Sequence, residues 1–196
     1  NIPDDSVVIT FDDGWIDFHD PAYPVLSRLK APATVYLTTG FVSSECSYWQ
    51  GRLNKLLLPV LANKKMFLET GNIISTPEIN LKLKDLISKS DGKPIIFKFI
   101  DYLKKFTNDI ILKTISELEA FLEEQTITIS EDEHRSFVNW DEVNGINKPD
   151  ISFGSHTVNH PILTNEQTDI VENEISKSKE IIEKETGRDV IHFCYP

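Results

Sequence analysis

The sequence predicts an α/β fold with parallel strand pairing, interrupted by a mostly helical insertion. Three observations carry this expectation. Residues 7–38 read as strand, helix, strand. From about residue 43 to residue 137 the apolar side chains fall at helical spacing in one segment after another. Residues 151–195 then resume the strand–helix–strand order. Strands joined through a short helix pair in parallel, because the crossover returns the chain to the same end of the sheet.

The apolar run Val7-Val8-Ile9, continuing to Phe11, reads as a buried strand. Asp20 is expected to cap a helix whose first residue is Pro21, a position where the missing N–H does no harm. Ala22, Val25, Leu26 and Leu29 then make an i, i+3, i+4, i+7 stripe. Ala31-Pro32 ends it, and residues 33–38 read as the second strand. In the insertion, Leu53, Leu56, Leu57, Val60 and Leu61 fit one helix. Residues 66–75 suggest a hairpin turning at Thr70-Gly71-Asn72. Ile79, Leu83, Leu86 and Ile87 fit a second helix. Ile95, Ile96, Phe99 and Leu103 fit a third, and Ile111, Ile115, Leu118 and Leu122 a fourth that ends at Glu123-Glu124. Beyond the insertion, Asn139 with Glu142 three positions on is a capping box. Residues 151–154 are a strand. Thr164 to Gln167 reads as a second capping box, opening a helix with Ile170, Val171, Ile175, Ser178, Ile181 and Ile182 on its inner face and Gly187 as its stop. Residues 190–195 read as a further strand.

The chain has 196 residues, enough for one sizeable core with an inserted subdomain. Its formal net charge of -11 argues against a nucleic-acid backbone as partner and lends no support to an anionic membrane surface. No apolar run approaches the roughly 20 residues that span a bilayer. The two cysteines, Cys46 and Cys194, form neither a metal knuckle nor a disulfide framework. No secretory leader is legible, and a chain that begins with Asn1 says little about location. The chain stops at Phe193-Cys194-Tyr195-Pro196, inside a strand and its turn, so more protein is expected to follow.

Two segments carry chemistry. Thr10-Phe11-Asp12-Asp13-Gly14 places adjacent carboxylates where a strand ends. Neighbouring side chains on a strand face opposite ways, and an unpaired buried carboxylate is costly. The strand is therefore expected to end there, with Gly14 turning the backbone so that both acids reach one site. His156 and His160 follow another strand, in Gly154-Ser155-His156-Thr157-Val158-Asn159-His160-Pro161. Taken singly, each segment has a plainer reading: Asp-Asp-Gly as a solvated turn, His-x-x-x-His as one face of a helix. Together, at two strand ends, they point to a metal held by two imidazoles and a carboxylate, the donor set zinc accepts with positions left open. Trp15, Tyr48, Trp49 and Trp140 offer aromatic faces, although such residues are as often core.

These segments, with Phe193-Cys194-Tyr195-Pro196, resemble the first three motifs of the polysaccharide deacetylases, the carbohydrate esterases with a NodB-type homology domain. Pro32-Ala33-Thr34, Thr38-Thr39-Gly40-Phe41-Val42 and Trp140 are similar as well. The resemblance covers both ends of the chain but not the insertion. It implies an irregular, incomplete (β/α) barrel, like an opened TIM barrel, so that residues 1–196 would be a partial domain with residues 43–137 inserted. It implies that Asp13, His156 and His160 bind a divalent metal, most often zinc, and that Asp12 is the general base for the attacking water. The backbone N–H of Tyr195 would hold the oxyanion, since Pro196 has none to give. Trp15 and Trp140 would contact substrate. The expected activity is metal-dependent hydrolysis of N-acetyl groups on amino sugars of a polysaccharide or lipid-linked glycan. A catalytically impaired carbohydrate-binding relative and a deacylase of non-sugar amides are the alternatives. The family favours the cell envelope or the exterior; the residues leave the cytoplasm open and give no oligomeric state.

Two departures stand out. Cys194 occupies the place where many members carry an arginine that orients the base. The family's later motifs, including a histidine general acid, have no counterpart here. His192 reads as a strand residue facing away, and His19 and His134 as surface residues.

Overall fold

The computed structural model describes residues 4–45, 47–89, 94–129, 135–146 and 149–196. Cys46 and His134 lie outside them. The chain forms two compact units, Asn1–Cys46 with His134–Pro196, and Ser47–Glu133.

The first unit is built on a three-stranded parallel sheet in the order β1 (Thr10–Phe11), β2 (Ala33–Leu37), β3 (Ile151–Ser155). Thr10 pairs with Thr34, and β2 and β3 pair from Ala33↔Ile151 to Leu37↔Ser155. β1 is shorter than expected, and Val7 and Val8 are exposed rather than buried. The register explains this. Continued backwards it sets Val8 opposite Pro32, which has no N–H to give a ladder. The last paired donor on that side is Thr34 N–H, which reaches Ile9 O at 3.0 Å. At the other edge, residues 190–195 do not form a full strand. They make one parallel bridge, Ser155↔Phe193. Ser155 N–H donates to His192 O and Cys194 N–H to Ser155 O, both at 2.9 Å.

The expected helix start at Pro21 is also corrected. A π-helical turn at Phe18–Ala22 runs through Asp20 and Pro21 into α1 (Tyr23–Leu29). A proline inside a helix removes a backbone donor, and a π-bulge is one way the chain absorbs that loss. Asp20 makes no cap; its carboxylate meets His19 Nδ1 at 2.8 Å. Of the expected stripe, Leu26 is buried, while Val25 and Leu29 are exposed. The numbering of helices continues through the second unit to α7 (Trp140–Gly145), which carries the expected capping box. Glu142 N–H donates to Asn139 Oδ1 and Asn139 N–H to Glu142 Oε2, both at 2.8 Å. The second expected box is absent. Residues Leu163–Asn165 form a 3₁₀ turn, and α8 (Thr168–Thr186) starts beyond it, with Gln167 at the N-cap position making no side-chain capping bond. Gly187, at φ 65°, ends α8 as expected. Val35, Leu37, Val143, Phe153, Ile182 and Val190 belong to the core of this unit.

The second unit is helical: α2 (Trp49–Ala62), α3 (Lys64–Glu69), α4 (Pro77–Lys89), α5 (Pro94–Leu103) and α6 (Asn108–Glu124). The stripes expected on α4, α5 and α6 are buried throughout. Phe67 and Phe121 meet edge to face at 5.6 Å inside the same cluster. The expected hairpin at 66–75 is instead a short helix and a bend. Asn80, buried on α4, accepts from the N–H groups of Ile73 and Ile74 at 3.2 and 3.1 Å. Those amides thereby find a side-chain partner, and no strand is needed.

Candidate metal centre

β1 ends at Phe11, as the sequence suggested, and the turn begins at Asp13, one residue before the expected Gly14. Asp13 and Gly14 both take left-handed φ values, 73° and 79°. A short polar side chain tolerates that region. A Cβ on Gly14 would stand 2.9 Å from Leu37 Cδ2, so glycine is needed for space as well as for φ. The next residues are pinned antiparallel to 136–138: Val138 N–H donates to Gly14 O and Ile16 N–H to Ser136 O, each at 2.9 Å. Asp13 is thus held on a fixed backbone. Its Oδ2 accepts the Trp15 indole N–H at 2.8 Å. Its Oδ1 is buried and has no hydrogen-bond partner.

His156 and His160 reach that oxygen from the loop after β3. His156 N–H donates to Leu37 O at 3.0 Å, one step past the ladder. Its side chain is buried, and Nδ1 lies 2.9 Å from Cys194 O. A carbonyl can only accept, so Nδ1 carries the proton and Nε2 keeps a lone pair for a metal. The loop is not helical. Thr157 and His160 take left-handed φ values of 68° and 56°, which bring the second imidazole back beside the first. The rings are 4.9 Å apart. Three contacts support this path. Thr39 N–H donates to Thr157 O at 3.2 Å, Gly40 N–H to Val158 O at 2.8 Å, and His160 N–H to Thr157 Oγ1 at 3.0 Å. A Cβ on Gly40 would lie 2.7 Å from Val158 O, so only glycine permits the approach.

Both imidazole Nε2 atoms stand 3.3 Å from Asp13 Oδ1, and one donor atom from each of the three residues lies within 4.8 Å of the others. Burial pushes the Asp13 carboxyl up, but His156, His160 and the Trp15 indole more than reverse it, holding it well below the usual carboxylate range. Burial pulls His156 down, and Asp13, the Cys194 carbonyl and Asp12 outweigh it, leaving the imidazole above its ordinary value. An orphaned buried oxygen facing two imidazole nitrogens is a donor set that fits a divalent cation of the zinc type.

The remaining candidates are less enclosed. Asp12 is exposed beside this cluster. Burial, and then Asp12, push the neighbouring Cys194 thiol up. The Tyr195 side chain is 76% exposed and meets the Phe193 ring edge to face at 5.1 Å. Trp15 stacks on Phe137 at 4.5 Å, besides its bond to Asp13. Trp140 packs partly against the core at the start of α7, and its backbone N–H donates to Ser43 Oγ at 3.2 Å. His192 is exposed.

Sequence reasoning missed Glu174. This α8 carboxylate is 5% exposed and holds the histidine loop from below. Its Oε2 accepts from the N–H groups of Val158 and Asn159 at 2.7 and 2.8 Å, and its Oε1 from Asn159 Nδ2 at 2.7 Å. A signal existed: Glu174 shares a stripe at fourfold spacing with Ser178 and Ile182, both buried.

The family model for polysaccharide deacetylase matches residues 1–78 and 91–196. Among solved structures, the chain is similar to a Streptococcus pyogenes deacetylase, PplD, in complex with acetate, with 19% identity and a TM-score of 0.49. The match covers 100% of this chain and 48% of that one, so the chain spans about half the length of that structure. No curated protein matches.

Proposed function

Since the chain belongs to the polysaccharide deacetylase family, we propose that it removes N-acetyl groups from amino sugars of a polysaccharide or lipid-linked glycan, using a divalent metal, most often zinc in this family. The observation that carries this reading is the convergence of Asp13, His156 and His160 on one small volume. In the same reading the parallel sheet is part of an irregular (β/α) barrel, residues 43–137 are an insertion in it, and the cell envelope or exterior is the place of action.

When bound, the metal supplies Lewis acidity, which lowers the pKa of water from about 15.7 toward 7 and polarises a carbonyl. The protein's own groups do the rest. Asp13 Oδ1 and the Nε2 atoms of His156 and His160 would hold the cation. The Trp15 indole and the Cys194 carbonyl orient two of those ligands. Asp12, exposed beside them, takes a proton from the water as its oxygen bonds to the acetamide carbon. The backbone N–H of Tyr195 donates to the oxyanion. The C–N bond then breaks, acetate leaves, and the amine gains a proton to balance the one the water gave up. Trp15 and Trp140 offer aromatic surface to sugar rings.

The test is acetate release from N-acetylglucosamine oligomers by the chain loaded with Zn²⁺, with and without a chelator. Release that stops on chelation and returns with added Zn²⁺ supports the reading. Metal uptake and oligomer binding without any release, by this chain and by the full-length protein alike, would favour the carbohydrate-binding alternative. Release from simple acylamides alone would favour the deacylase.

A further inference from the structure

We propose that Glu174 is a positioning residue for the two histidines: it fixes the loop that aims their Nε2 atoms and so sets the affinity of the site for metal. The inference rests on the metal reading above and deepens it. Among the described hydrogen bonds Glu174 makes none to the metal ligands' side chains, and in this reading it does not meet the substrate. Its role follows from what the loop requires.

From Thr157 to His160 the backbone turns through two left-handed residues, His160 itself and the β-branched Thr157. For such a residue that conformation is a genuine outlier, and it persists only where the surroundings over-determine it. On one side, the carbonyls of Thr157 and Val158 are taken by the amides of Thr39 and Gly40. On the other, the consecutive amides of Val158 and Asn159 point away from the sheet and need an acceptor. A single carboxylate oxygen, Glu174 Oε2, takes both. Two successive amides aimed at one acceptor oxygen form a small nest. Oε1 takes the Asn159 side-chain amide, which locks the loop's tip. Glu174 is therefore the only link among the described hydrogen bonds between α8 and the amides of this tip. An acid in the middle of a buried helix face is expensive unless its bonds are needed, and here all three go to the histidine loop.

The experiment uses the full chain and Co²⁺ alone, read by its visible absorption and by titration. Amide hydrogen exchange at Val158 and Asn159 is followed in the metal-free protein. Glu174→Ala should raise the Co²⁺ dissociation constant about tenfold, the low end of the cost of losing a residue bonded directly to a metal ligand, because Glu174 acts through the backbone between the ligands, and should speed exchange at both amides. Glu174→Gln should recover most of the affinity, because its carbonyl oxygen can still accept from both backbone amides once the Asn159 side-chain amide turns over to accept from the new NH2. Ser178→Ala is the control. It lies one turn further along the same buried face and bonds Ser155 Oγ at 2.6 Å, so it perturbs packing without removing the loop's acceptor. It should leave Co²⁺ affinity within a few-fold of the wild type.

A Glu174→Ala protein with wild-type affinity and spectrum would overturn the proposal. So would a Ser178→Ala protein that loses as much affinity. If Glu174→Ala does not fold, Glu174→Met, of similar length but with no oxygen to accept from either amide, takes its place, and unchanged affinity there would overturn the proposal equally. A wild-type chain that takes up no Co²⁺ is a different failure: it would refute the metal reading itself.

Discussion

The two units of this chain are held together by different means. In Ser47–Glu133 five helices bury apolar stripes, and among its described residues Thr126 is the non-glycine residue with a left-handed φ. In the α/β unit Asp5, Asp13, Lys30, Ser43, Thr157 and His160 are left-handed, and two of these belong to the candidate metal centre. Buried polar residues divide the same way. Asn80 and Thr114 serve the helices; Thr38, Thr39, Ser155, His156, Thr157, Glu174 and Ser178 crowd the sheet's ligand-bearing end. The contrast shows where this sequence departs from ordinary local preference. Helical packing needs only the right apolar spacing, whereas the strand-end loops hold unfavourable backbone in place with hydrogen bonds, as functional sites commonly do.

The comparison can be broken or sharpened by substitution. The largest effect is expected at Asp12. Asp12→Asn should lower deacetylation about 10²–10⁴-fold while zinc content, measured by metal analysis, stays at the wild-type level. Loss of zinc together with activity would make Asp12 a ligand and not a base. Next comes Phe99→Ala in the helical unit, which should cost about 3–5 kcal/mol in a denaturant melt of that unit. Zinc uptake should be unaffected, and a matching drop in uptake would erase the contrast between the units. Gly40→Ala is the converse probe. Its new Cβ would press on the Val158 carbonyl, for about 1–3 kcal/mol of overpacking, and calorimetric titration should show weaker zinc binding with the helical unit's melting unchanged.

The smallest effect is one of pH. His156 binds metal through a nitrogen that must be free of its proton, and in the metal-free protein this imidazole titrates above its ordinary value. Protons therefore compete from a higher pH than for a free histidine. Affinity should be full above that pKa and should weaken by about tenfold per pH unit as pH falls below it. Competition titrations at several pH values would show the slope, and a flat profile would remove His156 from the ligand set.

Much of this was legible in the sequence, for physical reasons. The apolar periods of α4, α5 and α6 are local, and burial follows them residue by residue. Asp13, His156 and His160 were legible because their types are rare as neighbours at strand ends. What was hidden depended on partners distant in sequence or on backbone detail. The 66–75 segment is not a hairpin because Asn80, on the following helix, satisfies its amides. β1 is short because Pro32 stands opposite Val8 in the register. Pro21 lies inside a helical turn that widened to hold it. Glu174 was passed over because glutamates are almost always exposed, and only the fold shows the loop that it holds.

The most direct test of the central claim is zinc-edge X-ray absorption on the chain carrying one equivalent of Zn²⁺. The account predicts two imidazole nitrogens at about 2.0–2.1 Å and carboxylate or solvent oxygens at about 2.0–2.2 Å, with one imidazole lost in His156→Ala and one in His160→Ala. A sulfur shell at about 2.3 Å, as Cys194 would give, or an imidazole count that neither substitution changes, would contradict it.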